Sequence, residues 1–337
     1  MKSTRFLSAT FAAVAMLSAC GGGGSDSPAP APAAALAITA DNQAVVARAA
    51  MDGSTALGGA QVLDNDDRAT ALSANATARK TARGAVLGAT QHALAFAFPQ
   101  QRRAALSAKA RPLAAETIGC TLGGSFTLTT EDRDGNGGSS SGDTLTMSFT
   151  QCSELADEQL SGTIVFTLSS FGSDTQFGGT LAFQSVTVTA GDTATGISGS
   201  VSVEYQETSQ THIEMTIGSG GLTASIDSPD YEDTVIYEPG LRIDMTETST
   251  ATLFSLDGSL STTALGGRIT VATLQPLAQL NSDAYANSGQ VRVDGASSSR
   301  LLVTVLSNAQ VQLELDADGD GVFTAPTIVP WGDLLSD

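Results

Sequence analysis

The chain has 337 residues, of which 41% are hydrophobic and 5% aromatic, and its formal net charge is −19 at pH 7. The charge is uneven, because residues 36–118 hold nine Lys or Arg and six Asp or Glu, whereas residues 119–337 hold five Lys or Arg and 28 Asp or Glu. So acidic a body repels nucleic acid and anionic headgroups, which argues against nucleic-acid binding and favours cations, basic partners or simple solubility.

The first 19 residues predict a secretory signal peptide. A short basic stretch precedes an apolar run at residues 6–17, which is too short to cross a bilayer as a helix. The tetrad Leu-Ser-Ala-Cys that ends at Cys20 resembles the bacterial lipobox, in which the cysteine is acylated and becomes the mature N-terminus. The resemblance implies that Cys20 is the lipid-attachment residue; the alternative is an ordinary signal peptide with a chance cysteine.

Residues 20–35 predict a flexible tether between this anchor and the folded body. The stretch "GGGGSDSPAPAPAAA" offers no side chain that could anchor a core, and its Pro-Ala alternation favours an extended chain. Gly21 follows the cysteine, where inner-membrane lipoproteins tend to carry Asp. The resemblance therefore implies a protein of the cell envelope that is lipid-anchored in the outer membrane.

An Ala-rich helical segment is predicted for residues 36–116. The stretch "ITADNQAVVARAA" predicts a helix capped by Thr39 or Asp41, with Val45, Val46 and Ala49 on one face. The Asp-Gly pair at residues 52–53 predicts a break. A second helix is expected within "RATALSANATARKTARGAVLGATQHALAFAF", where apolar residues recur at helical intervals before a proline.

From residue 117 to residue 337 the hydrophobic period changes to two. Stretches such as "GTIVFTLSS", "HIEMTIG" and "LRIDMTE" alternate apolar residues with Thr, Ser and Glu, and glycine-rich breaks separate them. Such alternation is typical of antiparallel strands with one apolar and one solvated face. We expect a mainly β fold of about 12–15 strands. It would be a large curved antiparallel sheet or open barrel, with the N-terminal helices packed on it.

The two remaining cysteines, Cys120 and Cys152, predict a disulfide in an oxidising compartment. Opposing Leu128 to Leu145 keeps the apolar residues of a hairpin on one face, and a bulge near Gln151 would then align the two sulfur atoms. Closing a loop of about 30 residues stabilises the fold by roughly 3 kcal/mol in the chain-entropy model.

Two aspartate-rich loops match the start of a calcium-loop template, which places oxygen ligands at positions 1, 3, 5 and 12 and glycine at position 6. The first loop fits all five positions, whereas the second has Thr327 at position 12 and would need Asp333 or water instead. The predicted metal ligands are Asp132, Asp134, Asn136 and Asp143 in the first loop and Asp316, Asp318 and Asp320 in the second.

The loops resemble those of EF-hand and dockerin proteins over about a dozen residues each. Strands rather than helices are expected on both flanks, and the alternative is that Asp-Gly pairs merely form hairpin turns. A third acidic stretch, residues 227–233, fits no ligand spacing and is predicted to be a solvated loop.

Taken whole, the chain resembles a group of uncharacterised proteobacterial lipoproteins. The motifs that carry the resemblance are the lipobox, the glycine-rich tether, the helix start "ITADNQAVV", the cysteine-flanked hairpin and the ending "LDADGDG" followed by a tryptophan strand.

Two functions follow from these observations, and neither is enzymatic, because the sequence carries no His-Glu-x-x-His or phosphate-loop motif. The first is a structural or interaction protein of the envelope, expected to be a monomer, with loops that bind calcium. The alternative is a periplasmic module that binds an acyl chain or a partner protein. Its cavity would be lined by Ile164, Phe166, Leu168, Leu181 and Phe183.

Overall fold

The computed structural model of the chain describes residues 33–57, 115–137, 139–153, 158–173, 175–209, 212–229 and 231–335. The predicted signal peptide, Cys20, most of the tether and the second predicted helix lie outside these residues. Within the described part of the chain, no helix is long and apolar enough to cross a membrane.

Fifteen strands of the described chain form one large antiparallel sheet, which confirms the predicted mainly β fold. The strands are β1 (Glu116–Gly119), β2 (Gly123–Glu131), β3 (Thr144–Ser153), β4 (Glu158–Ser173), β5 (Gln176–Ala190), β6 (Thr193–Ser209), β7 (His212–Ser228), β8 (Tyr231–Tyr237), β9 (Arg242–Thr248), β10 (Ala251–Thr262), β11 (Gly267–Leu280), β12 (Ser288–Asp294), β13 (Arg300–Ser307), β14 (Gln310–Asp316) and β15 (Thr327–Pro330).

The topology is a meander in which nearly every strand pairs with its neighbours in sequence. The exception is that β8 and β9 lie end to end between the long strands β7 and β10. Each of these two short strands pairs with part of β7 on one side and with part of β10 on the other. The edge strands are β1 and β15, and no pairing between them joins the two edges in the described residues.

One face of the sheet carries a continuous apolar core. Along β4, for example, Ile164, Phe166 and Leu168 are at most 2% exposed, and the residues between them are half-buried or exposed. Bulges interrupt the ladders at several points, with Gln151 (φ 47°) and Ser185 (φ 51°) in the left-handed region. Because bulges bend a strand and increase its twist, they favour the curvature that a sheet of this size needs.

Helix α1 (Gln43–Leu57) begins later and extends further than the sequence indicates. The backbone carbonyl of Asn42 accepts the first helical bond from the amide of Val46, and the Asn42 side chain accepts from the amide of Thr39 (2.8 Å). The predicted break at Gly53 is wrong, since the helix continues through it.

Packing decides which face of α1 is buried. Of the three residues predicted on the apolar face, Val46 is buried and Ala49 is partly buried against the core, but Val45 is 45% exposed. Ala47, Ala50 and Met51 join Val46 in the core. The helix contacts β11 to β14 and the C-terminal helix α2 (Trp331–Leu335), where Arg48 Nε donates to the backbone carbonyl of Leu334 (3.0 Å).

The disulfide between Cys120 and Cys152 is confirmed, with their Cα atoms 5.4 Å apart. The predicted bulge at Gln151 is present, but the predicted register is wrong by two residues, because Leu128 lies opposite Met147 rather than Leu145. Both registers bury the same face, so alternation alone does not choose between them.

Candidate metal centres

The first aspartate loop joins β2 to β3 and is folded around the side chain of Asp132. Its Oδ1 accepts from the backbone amide of Gly135 (2.7 Å) and its Oδ2 from the amide of Gly137 (2.7 Å). Both glycines have positive φ, 70° and 77°, a conformation that side chains rarely adopt. The chain therefore turns tightly enough to bring later acidic side chains close to Asp132.

Asp134 and Asp143 complete the acidic set of this loop. Asp134 Oδ1 accepts a hydrogen bond from the backbone amide of Asn136 (3.1 Å). This bond is the main cause of the lowered pKa of the Asp134 carboxyl. Asp143, only 8% exposed, accepts from the amides of Arg133 (2.9 Å) and Ser140 (2.7 Å). These bonds fix the orientation of both carboxylates within the loop.

Asn136 lies in the same loop, as predicted, and its Nδ2 donates to Asp134 Oδ2 (2.8 Å). Its side chain thus orients one of the acidic side chains of the loop.

The second aspartate loop, between β14 and β15, repeats this geometry. Asp316 Oδ1 accepts from the amide of Gly319 (2.8 Å), and its Oδ2 accepts from the amide of Gly321 (3.1 Å). The two glycines again have positive φ, 76° and 86°. The Asp318 carboxylate faces the amide of Asp320 (3.4 Å), as Asp134 faces that of Asn136.

Each loop gathers three carboxylates that could hold a metal ion. In both sets one oxygen atom of each residue lies within 4.8 Å of the others; the sets are Asp132, Asp134 and Asp143, and Asp316, Asp318 and Asp320. Like charges this close repel each other, and a bound cation would remove the repulsion. Simple hairpin turns need only one such acid.

The two loops differ in burial and at position 12. Asp316 is fully buried, whereas Asp132 is exposed. Asp143 supplies the predicted carboxylate at position 12 of the first loop, but Thr327 begins β15 in the second. Asp333 lies in α2 and does not belong to the close acidic set. The first loop therefore offers the more complete ligand shell.

The residues expected to line a binding cavity are part of the core. All five are at most 3% exposed; they are Ile164, Phe166, Leu168, Leu181 and Phe183. The binding-module alternative remains a prediction that depends on what these side chains contact.

The acidic stretch at residues 227–233 is not a loop, because it covers the end of β7 and the start of β8. Asp233 is 6% exposed and accepts from Thr263 Oγ1 (2.6 Å), the Ala264 amide (3.0 Å) and the Tyr231 hydroxyl (3.0 Å). It ties the β7–β8 hairpin to the β10–β11 turn, a role that nothing in its local sequence indicates.

No protein-family model, curated protein or solved structure matches the chain. Its role is therefore argued from the two loops and their surroundings.

Proposed function

We propose that the chain is a lipid-anchored envelope protein with a structural or interaction role, and that its two aspartate loops bind calcium. The observation that supports calcium binding is the repeat. Two loops far apart in the sequence build the same hydrogen-bonded turn around their first aspartate, and each gathers three carboxylates. The lipobox resemblance supports attachment through Cys20 and an outer-membrane location.

The ligand chemistry favours calcium over other metals. The acidic sets contain only oxygen donors, which suit hard cations, and calcium tolerates the irregular geometry of a flexible loop. Magnesium instead demands near-octahedral geometry and retains water. Calcium sites of extracellular modules have dissociation constants of about 0.1–1 mM.

A bound ion would act on the fold through the hairpin tips. At the second loop, the backbone of Leu315 is already joined to Thr324 through both the amide and the carbonyl. Neutralising Asp316, Asp318 and Asp320 would remove the charge repulsion that opposes this closed geometry. We therefore assign calcium a stabilising role at the ends of the sheet.

We expect 10 mM calcium to raise the midpoint of thermal unfolding by about 3–10 °C relative to chelator, and the same concentration of magnesium to raise it much less. The range follows from mass action at a dissociation constant of about 0.1–1 mM and from the size of the domain. The measurement is circular dichroism of the full chain during heating, in EDTA, calcium or magnesium.

Two loop variants, Asp134→Asn and Asp318→Asn, should each lose part of the calcium-dependent shift. Both residues are exposed, and the bonds of Asp132 and Asp316 to the glycine amides are left in place. Asp192→Asn, in the exposed β5–β6 turn, makes the same change of charge outside the loops and should keep the full shift. Equal midpoints in chelator and calcium would contradict the proposal.

A further inference from the structure

A polar groove of about 290 Å³ lies on the solvated face of the sheet. Its volume is at the lower end of the range for small-ligand sites. The polar side chains that form it come from β4, β5, β6 and β7; they are Ser170, Gln176, Glu204, Gln206, Glu214 and Thr216. Phe177 and Tyr205 also border it.

Cross-strand pairing builds the walls of the groove. Gln176, Gln206 and Glu214 lie opposite one another across β5, β6 and β7. Glu204 and Thr216 form the next row on the same face. The two glutamine side chains make no hydrogen bond to any described residue, so their amide groups are available to a ligand.

In the second row, β5 contributes Gly178, which lies between Ser170 and Glu204. A Cβ atom there would lie 2.8 Å from Ser170 Oγ, so a larger residue would displace that lining side chain. Phe177 and Tyr205 turn to the opposite face, where their rings stack with centroids 4.9 Å apart. Burial, reinforced by Glu207, raises the pKa of the Tyr205 hydroxyl, which keeps that group neutral.

The charge in and beside the groove is negative. Glu204 and Glu214 line it, and Arg242 at its edge is held by Asp244 through contacts of 2.7–2.9 Å. Partial burial acts to raise the pKa of the Asp244 carboxyl, but hydrogen bonds from Arg242 and Thr216 outweigh it and lower the pKa. The groove thus has three carboxylates in or beside it and one guanidinium that is already paired, and His212 Nε2 lies 3.2 Å from Glu214 Oε1.

The lining chemistry excludes most classes of ligand. Carboxylates repel anions, and a polar lining gives no affinity for an acyl chain. A sugar would need an exposed aromatic platform, but both rings beneath the groove are 3% exposed. Within the described residues, the close acidic sets that suit a metal ion lie in the loops and not here.

We propose that this groove binds an organic cation that carries several N–H donors, either a primary ammonium or a guanidinium group. Two carboxylates, two amide oxygens and the hydroxyl group of Ser170 would accept its hydrogen bonds, whereas the Thr216 hydroxyl is already bonded to Asp244. The same chemistry is offered by a free polyamine and by a lysine or arginine side chain of a partner protein.

The test is isothermal titration calorimetry of the full chain in saturating calcium, with two probes. The probes are spermidine and a capped tri-arginine peptide, which represent the two sources. We expect at least one to bind, and Glu204→Gln combined with Glu214→Gln to weaken it at least tenfold. The control combines Glu116→Gln with Glu232→Gln, two exposed glutamates on other strands that give the same change of net charge.

The control separates a specific site from general attraction to an acidic protein. Unchanged affinity in the control, with loss in the groove variant, supports the proposal, and the tighter probe identifies the source of the cation. Absence of binding by both probes, or equal weakening in both variants, would overturn it. Calcium is saturating throughout, so failure here leaves the proposal for the loops unaffected.

Discussion

Replacing Trp331 with alanine is expected to lower the free energy of unfolding by about 3–5 kcal/mol. Trp331 opens α2, directly after edge strand β15, and is 1% exposed. Its indole stacks on Tyr285 with ring centroids 5.5 Å apart and planes inclined by 7°. Its Nε1 donates to the backbone carbonyl of Ser307 (3.0 Å), so alanine would leave both a cavity and an unpaired acceptor.

The effect should extend to α1, which contacts α2 and joins the core through Val46 and Met51. Urea unfolding followed by far-ultraviolet circular dichroism measures the loss without needing the tryptophan as a probe. Trp331→Phe keeps a ring but not the hydrogen bond and should cost less than the alanine variant. Val322→Ala, at a residue 71% exposed in the same region, should change stability by less than about 0.5 kcal/mol. A loss below 1 kcal/mol for Trp331→Ala would show that the sheet edge does not depend on this anchor.

Removing the disulfide, by changing Cys120 and Cys152 together to alanine, is expected to cost about 3 kcal/mol. The bridge spans 32 positions of sequence and restricts the unfolded chain. Cys152 is also 4% exposed within the core, so its replacement removes packing as well. The double change is preferable to a single one, because a single change leaves an unpaired thiol free to exchange.

The measurement is urea unfolding of the wild-type protein and the double variant, with and without a phosphine reductant. The wild type should lose stability when reduced, and the variant should be insensitive to the reductant. Because the variant also loses side-chain packing, its stability should equal or fall slightly below that of the reduced wild type. An identical wild-type unfolding curve in both conditions would show that the bridge contributes nothing to stability.

The disulfide and the first aspartate loop act on opposite ends of one hairpin. Cys120 and Cys152 join the end next to edge strand β1, and Asp132 organises the turn between β2 and β3. Exposed sheet edges are prone to pair with other chains, and clamping the outermost hairpin restricts that reaction.

Much of the architecture was accessible from local patterns in the sequence. The period of two marked the strands, as along Ile164, Phe166 and Leu168 in β4, because side chains alternate between the faces of any strand. The pairing of Cys120 with Cys152 followed from their even number and the hairpin between them. The aspartate spacing predicted both metal-competent loops, because a tight turn is a local structure whose ligands lie within a few residues.

The sequence by itself thus determined the fold class, the disulfide and the acidic loops. Only the tertiary structure decided that Leu128 faces Met147, that Gly53 remains helical, and that Asp233 holds a distant turn. It alone aligned Gln176, Glu204 and Glu214 into one groove. The physical reason is that register and packing depend on contacts between residues far apart in the chain, whose energies the local pattern does not contain.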